Sequence, residues 1–145
     1  GQIEPIAHSK LSSADKLRQM IKAHIIGLTE NTAIGAAMVF EIRSLMGAKE
    51  PAPSASAADH TAYKTFVERR ALFFARRDTF ENLFRLVIRE GIDNQSFRAV
   101  DAGIFTKTML GSINWVGVWY KPEGRLSGEQ IAEQIAETML RALKP

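Results

Sequence analysis

Residues 104–120, IFTKTMLGSINWVGVWY, constrain the fold more than any other stretch, because a helix built from them has almost no polar side. Ile104, Phe105, Met109, Leu110, Ile113, Trp115, Val116, Val118 and Trp119 are spread around the helix, which in a soluble protein requires contact on more than one side. A turn follows, Lys121-Pro122-Glu123-Gly124-Arg125-Leu126, and a second helix opens at Ser127. There Ile131, Ile135, Met139 and Ala142 share a stripe with Ala132, Ala136, Leu140 and Leu143, while Glu129, Glu133, Glu137, Arg141 and Lys144 occupy a solvated face. Ser127 and Gln130 have the spacing of a capping box. The resulting hairpin carries more apolar surface than one small core uses. Gly103, Gly111, Ser112 and Gly117 permit close backbone approach, although each glycine costs about 1 kcal/mol of helix propensity. Either the chain's own helices wrap the first helix, or a partner helix or ligand covers its remaining side.

At 145 residues and 46% hydrophobic, the chain can bury one sizeable core, and its length suggests a single domain. The longest apolar stretches are interrupted by Glu41, Arg43, Arg69, Arg70, Arg76 and Arg77, short of the ~18 uncharged residues that a membrane span requires. A secretory leader is not evident, since Glu4, Lys10, Asp15, Lys16 and Arg18 stud the polar start of the chain. With no cysteine there are no disulfides or thiolate metal sites, and a reducing, cytoplasmic setting is expected. The net charge of +3 is mild and its basic residues are scattered, unlike the concentrated footprint of a nucleic-acid surface. Gly1 stands where an initiator methionine is usual, and Gln2-Ile3-Glu4-Pro5-Ile6 reads as the tail of a helix that begins elsewhere, so a longer parent chain is expected.

The rest reads as helical throughout. Ser12 or Ser13 caps a helix running to about Glu30, with Leu17, Met20, Ile21, Ile25 and Leu28 on its buried side. Asn31 or Thr32 starts another, through Ala37, Met38, Ile42 and Leu45 to a stop at Gly47. Residues 48–58 form a small-residue, proline-bearing loop, expected to be flexible and too short to separate domains. From about Asp59 a long helix carries Tyr63, Phe66, Val67, Phe73, Phe74, Phe80, Leu83, Phe84, Val87 and Ile88, with Gly91 suited to a left-handed C-cap.

Within the hairpin, Leu110-Gly111-Ser112-Ile113-Asn114-Trp115, then Trp119-Tyr120-Lys121-Pro122-Glu123-Gly124-Arg125-Leu126-Ser127, then Ile131-Ala132 and Leu140, resemble the end of the regulatory domain of TetR-type (tetracycline-repressor-like) transcriptional regulators. The look is closest to the branch that controls fatty-acid and steroid catabolism. Arg89-Glu90-Gly91, Phe97-Arg98 and Val100-Asp101 are similar to that family's approach to the hairpin. The resemblance covers residues 87–143 well and residues 5–86 by helix order.

It implies an all-α domain over residues 1–145 that binds an effector and dimerises. An N-terminal helix-turn-helix of roughly fifty residues would precede it, so DNA binding is implied for the parent protein rather than for these residues. It also implies that the two hairpin helices pair with their copies in a four-helix bundle, a two-fold seam assigned to Leu110, Ile113, Asn114, Gly117, Trp119, Ile131, Ile135 and Met139. The effector, a hydrophobic or amphipathic molecule such as an acyl-CoA-like compound, would bind inside the helices before the hairpin. The parent, read as a repressor, would then release DNA.

Arg70 and Arg77 lie on or beside the aromatic stripe of the long helix with Phe73 and Phe74, where a guanidinium can pair with an effector carboxylate or phosphate. The plainer alternative has Arg77 pairing with Glu81, four residues on. His24 can donate to an effector or serve as a satisfied core histidine. Asn114 can bond across the seam or to a neighbouring backbone, and Trp115 is assigned to the pocket. Phe40, Phe105 and Met109 are lining candidates, with Met38 beside them, though such residues at helical spacing commonly form plain core.

No metal and no cofactor is expected, since His8, His24 and His60 lie in separate segments. No enzyme is expected either: Gly-x-Ser-x-Gly, a phosphate-cradling glycine loop and a His/Asp/Ser arrangement are all missing. The rival to an effector domain is a helical homodimeric module that binds a protein and takes no small molecule.

Overall fold

A computed structural model of the chain describes residues 1–31 and 41–145, and every regular element among them is an α-helix, as expected. The helices are α1 (Ile3–Ala7), α2 (Ser13–Glu30), α3 (Ala57–Asp93), α4 (Ala102–Trp119) and α5 (Gly128–Ala142), and residues 41–47 are helical too. Side-chain caps set four starts by satisfying amides that have no partner within the first turn. Ser12 accepts from the Asp15 amide, and Asp101 accepts from that of Ile104 at 2.8 Å. Ser127 and Gln130 close the expected capping box. Ser56 and Asp59 form a second box, so α3 begins at Ala57, inside the stretch read from sequence as a loop.

Helix α2 is the packing centre. Leu17, Met20, Ile21 and Ile25 are fully buried, and the helix meets α1, α3, α4 and α5. Burying each such side chain contributes ~1.5–3 kcal/mol. Across the α2–α5 seam Arg18 pairs with Glu133 at 2.6 Å and Glu137 at 3.2 Å, and Lys22 pairs with Glu133 at 2.6 Å. The α5 acids are therefore a clamp on α2 rather than only a solvated face. Lys22 beside Glu133 holds that carboxyl below its usual range, and Arg141 followed by Arg18 does the same for Glu137. Apolar burial dominates here, because the pairs are exposed and screened.

Helix α3 joins the core only through its second half, where Phe84, Val87 and Ile88 are fully buried. Its 37 residues run roughly 55 Å, and no residue from 57 to 79 is buried. Gly91 is not the expected left-handed cap: no described glycine has positive φ, and the helix continues to Asp93. The left-handed residue is Gln95, at φ 64°. What Gly91 supplies is room, since a Cβ there would lie 2.1 Å from the Phe97 ring. Beyond that ring Arg98 ties the turn to the end of α5, donating from its amide to Leu143 O at 2.8 Å and from Nε to Ala142 O at 2.6 Å.

Two polar clusters lie inside this frame, the second with Arg85 Nε buried and unpartnered among the described residues. Lys16, nearly buried, holds Glu90 at 2.9 Å, and Ser13 links Glu90 to Asn94. Glu81 turns toward α4, away from the expected partner Arg77, and pairs with Arg85 and with Lys107 at 3.0 Å. In α4 itself Met109, Leu110, Ile113, Val116 and Gly117 face inward, while Ile104, Trp115, Val118 and Trp119 remain exposed.

Gly91→Ala forces the Phe97 ring aside and is expected to cost ~1–3 kcal/mol, lowering the melting midpoint by about 3–9 °C. The matched control is Gly27→Ala in α2, where an added Cβ meets nothing within 4 Å. That variant should be as stable as the parent or more so, by up to about 1 kcal/mol. Circular dichroism melts of both variants check the pair, and equal midpoints would remove the packing role of Gly91.

Candidate functional site

Where α2 crosses α3, the His24 ring lies against Phe80 with centroids 4.8 Å apart, tilted by 56°. Phe80 in turn meets the buried Phe84 edge to face. From the other side Asn114 of α4 presents Oδ1 to His24 Nε2 at 2.7 Å. Burial penalises the imidazolium and lowers the His24 pKa, and the bond to Asn114 opposes that shift without cancelling it. The ring is thus neutral at pH 7. With Asn114 oriented this way, Nε2 carries the proton and Nδ1 is a bare acceptor with no hydrogen bond among the described residues.

Beside His24 and Phe80 opens a cleft of about 450 Å³, a volume suited to small ligands. Its walls are Ile3 and Glu4 of α1, Ala23, Gly27 and Leu28 of α2, and Arg76, Thr79 and Leu83 of α3, together with Gly1 and Gln2. A larger depression of about 760 Å³ lies around Lys16, Arg89 and Glu90. Its lysine is already consumed by Glu90, whereas the His24 cleft is mostly apolar with a few converging polar groups. Chemistry therefore favours the smaller cleft.

Of the described residues assigned to a pocket from sequence, only His24 lines this cleft. Trp115 is 54% exposed on the outer face of α4, because the register that brings Asn114 to His24 turns the next side chain outward. Met109 is fully buried in the core and Phe105 packs against it. Arg70 sits over the Phe66 ring at 5.7 Å, Phe73 and Phe74 pack edge to face, and Arg77 is exposed beside the cleft's own arginine. Phe40 and Met38 fall outside the described residues.

Sequence reading missed Arg76, Phe80, Gly27 and Glu4 as wall residues. Arg76 and Phe80 were within reach of it, standing four apart on one face of α3, but the aromatic run drew attention to Arg77.

The seam residues divide as well. Leu110, Ile113, Gly117 and Ile131 are buried within this chain, so they cannot be the surface that meets a partner. Asn114 is engaged by His24, and Ile135 and Met139 are half-buried against the core. Trp119, 48% exposed, stays on the outer face with Ile104, Trp115 and Val118, flanked by Gly111 and Ser112.

The model of the tetracycline repressor-like C-terminal domain matches residues 53–143, covering α3, α4 and α5. The chain belongs to that family. TetR-type proteins are transcriptional regulators, not enzymes. Among solved structures, a TetR/AcrR-family regulator from Thermobifida fusca aligns over 99% of this chain and 66% of its own, at 19% identity and TM-score 0.67. PfmR from Thermus thermophilus aligns over 99% and 67%, at 22% identity and TM-score 0.68. AibR, solved with isovaleryl coenzyme A and operator DNA, aligns over 96% and 63%, at 19% identity and TM-score 0.62. At such identities the likeness is one of fold, and the chain spans about two thirds of the length of the structures it matches. No curated protein sequence matches it. Among the described residues no helix is long and apolar enough to cross a membrane, and no group of three or more His, Asp or Glu side chains is placed to hold a metal ion.

The TetR-type fold thus holds a neutral, half-buried histidine, and its titration is measurable. A group whose folded pKa lies below the unfolded value of about 6.5 binds more protons when unfolded, so stability is full above pH 6.5 and declines as pH falls toward the lowered folded value. NMR titration should place His24 below 6.5, and His24→Gln should flatten that part of the stability–pH curve. Identical curves for the two proteins would refute it.

Proposed function

We propose that this chain is the effector-binding and dimerisation domain of a bacterial, cytoplasmic transcriptional repressor that reads DNA through a separate N-terminal domain. In this reading a hydrophobic or amphipathic molecule enters the His24 cleft and lowers the regulator's affinity for its operator. The observation that carries it is the cleft itself, an apolar wall with His24 and Arg76 converging on it inside a TetR-type fold. The acyl-CoA ligand of AibR supports an acyl-bearing effector as one member of the class.

Dimerisation is supported by the outer stripe of α4. Ile104, Trp115, Val118 and Trp119 form an exposed apolar patch, and in a two-fold seam one such patch meets itself. In this reading the half-buried Ile135 and Met139 of α5 join it in the seam. Control of DNA binding is then a population shift: the effector must bind more tightly to the arrangement of two heads that mismatches the operator half-sites. Since Ile3 and Glu4 of α1 wall the cleft, an occupant touches the helix nearest the start of the chain.

Two measurements test this reading. A thermal-shift screen with hydrophobic acids, alcohols and acyl thioesters should find stabilisers whose effect disappears in Gly27→Leu, which fills the open space beside His24. If no compound raises the midpoint, the effector idea is lost and a protein-binding helical module takes its place. Sedimentation at micromolar concentration should give a dimer, converted to monomer by Trp119→Glu. A wild-type monomer would sink the seam.

A further inference from the structure

Resting on that reading of the His24 cleft, we infer that its ligand is a singly charged amphiphile, a medium-chain hydroxy acid whose carboxylate meets Arg76 and whose hydroxyl donates to His24 Nδ1. Three features of the cleft lead there.

Arg76 lines the cleft and forms no ion pair among the described residues, although acids and bases are paired along α2, α3 and α5. A guanidinium left free beside an apolar wall takes a carboxylate well, because its fork matches the two oxygens. Arg70 is occupied by Phe66, and Arg77 does not line the cleft, so the charge site belongs to Arg76.

His24 supplies the second contact. Its Nε2–H is given to Asn114, which leaves Nδ1 as an acceptor, and an acceptor that loses water on ligand entry needs a donor in exchange. A carboxylate cannot donate; a hydroxyl can. Phe80, one helical turn after Arg76 on α3, is in contact with the His24 ring. Both polar groups therefore border the same stretch of the cleft, as the carboxylate and a nearby hydroxyl of one acid require.

Glu4 limits the charge. It lies on the α1 wall, also without an ion-pair partner among the described residues, and repels a second negative group. One arginine and one glutamate on the same cleft wall accommodate a monoanion and disfavour the several phosphates of a coenzyme A thioester. The apolar remainder, Ile3, Ala23, Leu28, Phe80 and Leu83, takes the alkyl chain, with the open space beside Gly27 giving it room.

Isothermal titration of the intact chain with 3-hydroxydecanoate, decanoate, decanol and decanoyl-CoA separates the possibilities. The hydroxy acid should bind tightest and decanoate at least tenfold more weakly. Arg76→Ala should weaken both acids tenfold or more while changing decanol less than twofold, and Arg77→Ala should change none of them. Gly27→Leu should abolish all binding without lowering the melting midpoint, which shows that the loss is occlusion and not unfolding. Decanol binding as tightly as the acids, or acids indifferent to Arg76→Ala, overturns the charge assignment and leaves the effector reading standing. Equal binding of decanoate and 3-hydroxydecanoate overturns the donor assignment. Tightest binding of decanoyl-CoA overturns the single-charge limit. No binding by any of the four, in a protein that Gly27→Leu does not alter, removes the cleft as an effector site altogether.

Discussion

One helix has to serve four neighbours. Helix α2 packs against α1, α3, α4 and α5, and it does so with a single apolar stripe in which Leu17, Met20, Ile21 and Ile25 are all fully buried. Its whole inward face is therefore committed before any site is formed. What remains are the flanks. One takes α5 through Arg18 and Lys22, and the other carries Ala23, His24 and Gly27 into the cleft beside α3. The cleft exists because small residues on α2 face Phe80 and Leu83 there, and two helices meeting through small side chains on one of them leave space unfilled.

This commitment also explains which parts of the structure were legible in the sequence. Period and caps were local matters, so the α2 stripe, the amphipathic α5 and the Ser127–Gln130 box could be read directly. The excess apolar surface of α4 was legible as an amount but not as a direction. Leu110 and Trp115 are equally greasy in sequence, and only the register fixed by Met109, Ile113 and Val116 against the core turns one inward and the other out. The same rotation assigned Asn114 to His24, a contact between residues ninety positions apart that no helical spacing encodes. Gly91 failed for a different reason. A glycine near a helix end signals a left-handed cap, yet here it admits the Phe97 ring, and the two demands look identical in one dimension.

Two of the proposed surfaces meet on α4. Its inward edge offers Asn114 to the histidine in the cleft, and the next residue, Trp115, stands on the stripe proposed as the dimer seam. A helix that is rigid and packed between the two cannot yield to one without some consequence for the other, because close-packed interiors shift as units. Helix α1 stands in the same relation to the cleft through Ile3 and Glu4. In the proposed function a ligand beside His24 thus has two levers, one through α1 and one into the seam.

The glycines give independent weight to this arrangement. A glycine inside a helix costs about 1 kcal/mol relative to alanine, so its presence calls for a compensating use of the space. At Gly91 the use is internal, the Phe97 ring. At Gly27 and Gly111 an added Cβ would meet nothing within 4 Å, and no described neighbour occupies the room. Among the described residues nothing repays the helix stability forgone at either place. Gly27 opens into the His24 cleft, and Gly111 lies on the exposed stripe with Trp115. In the proposed function the compensation is a ligand at the first position and a second copy at the other.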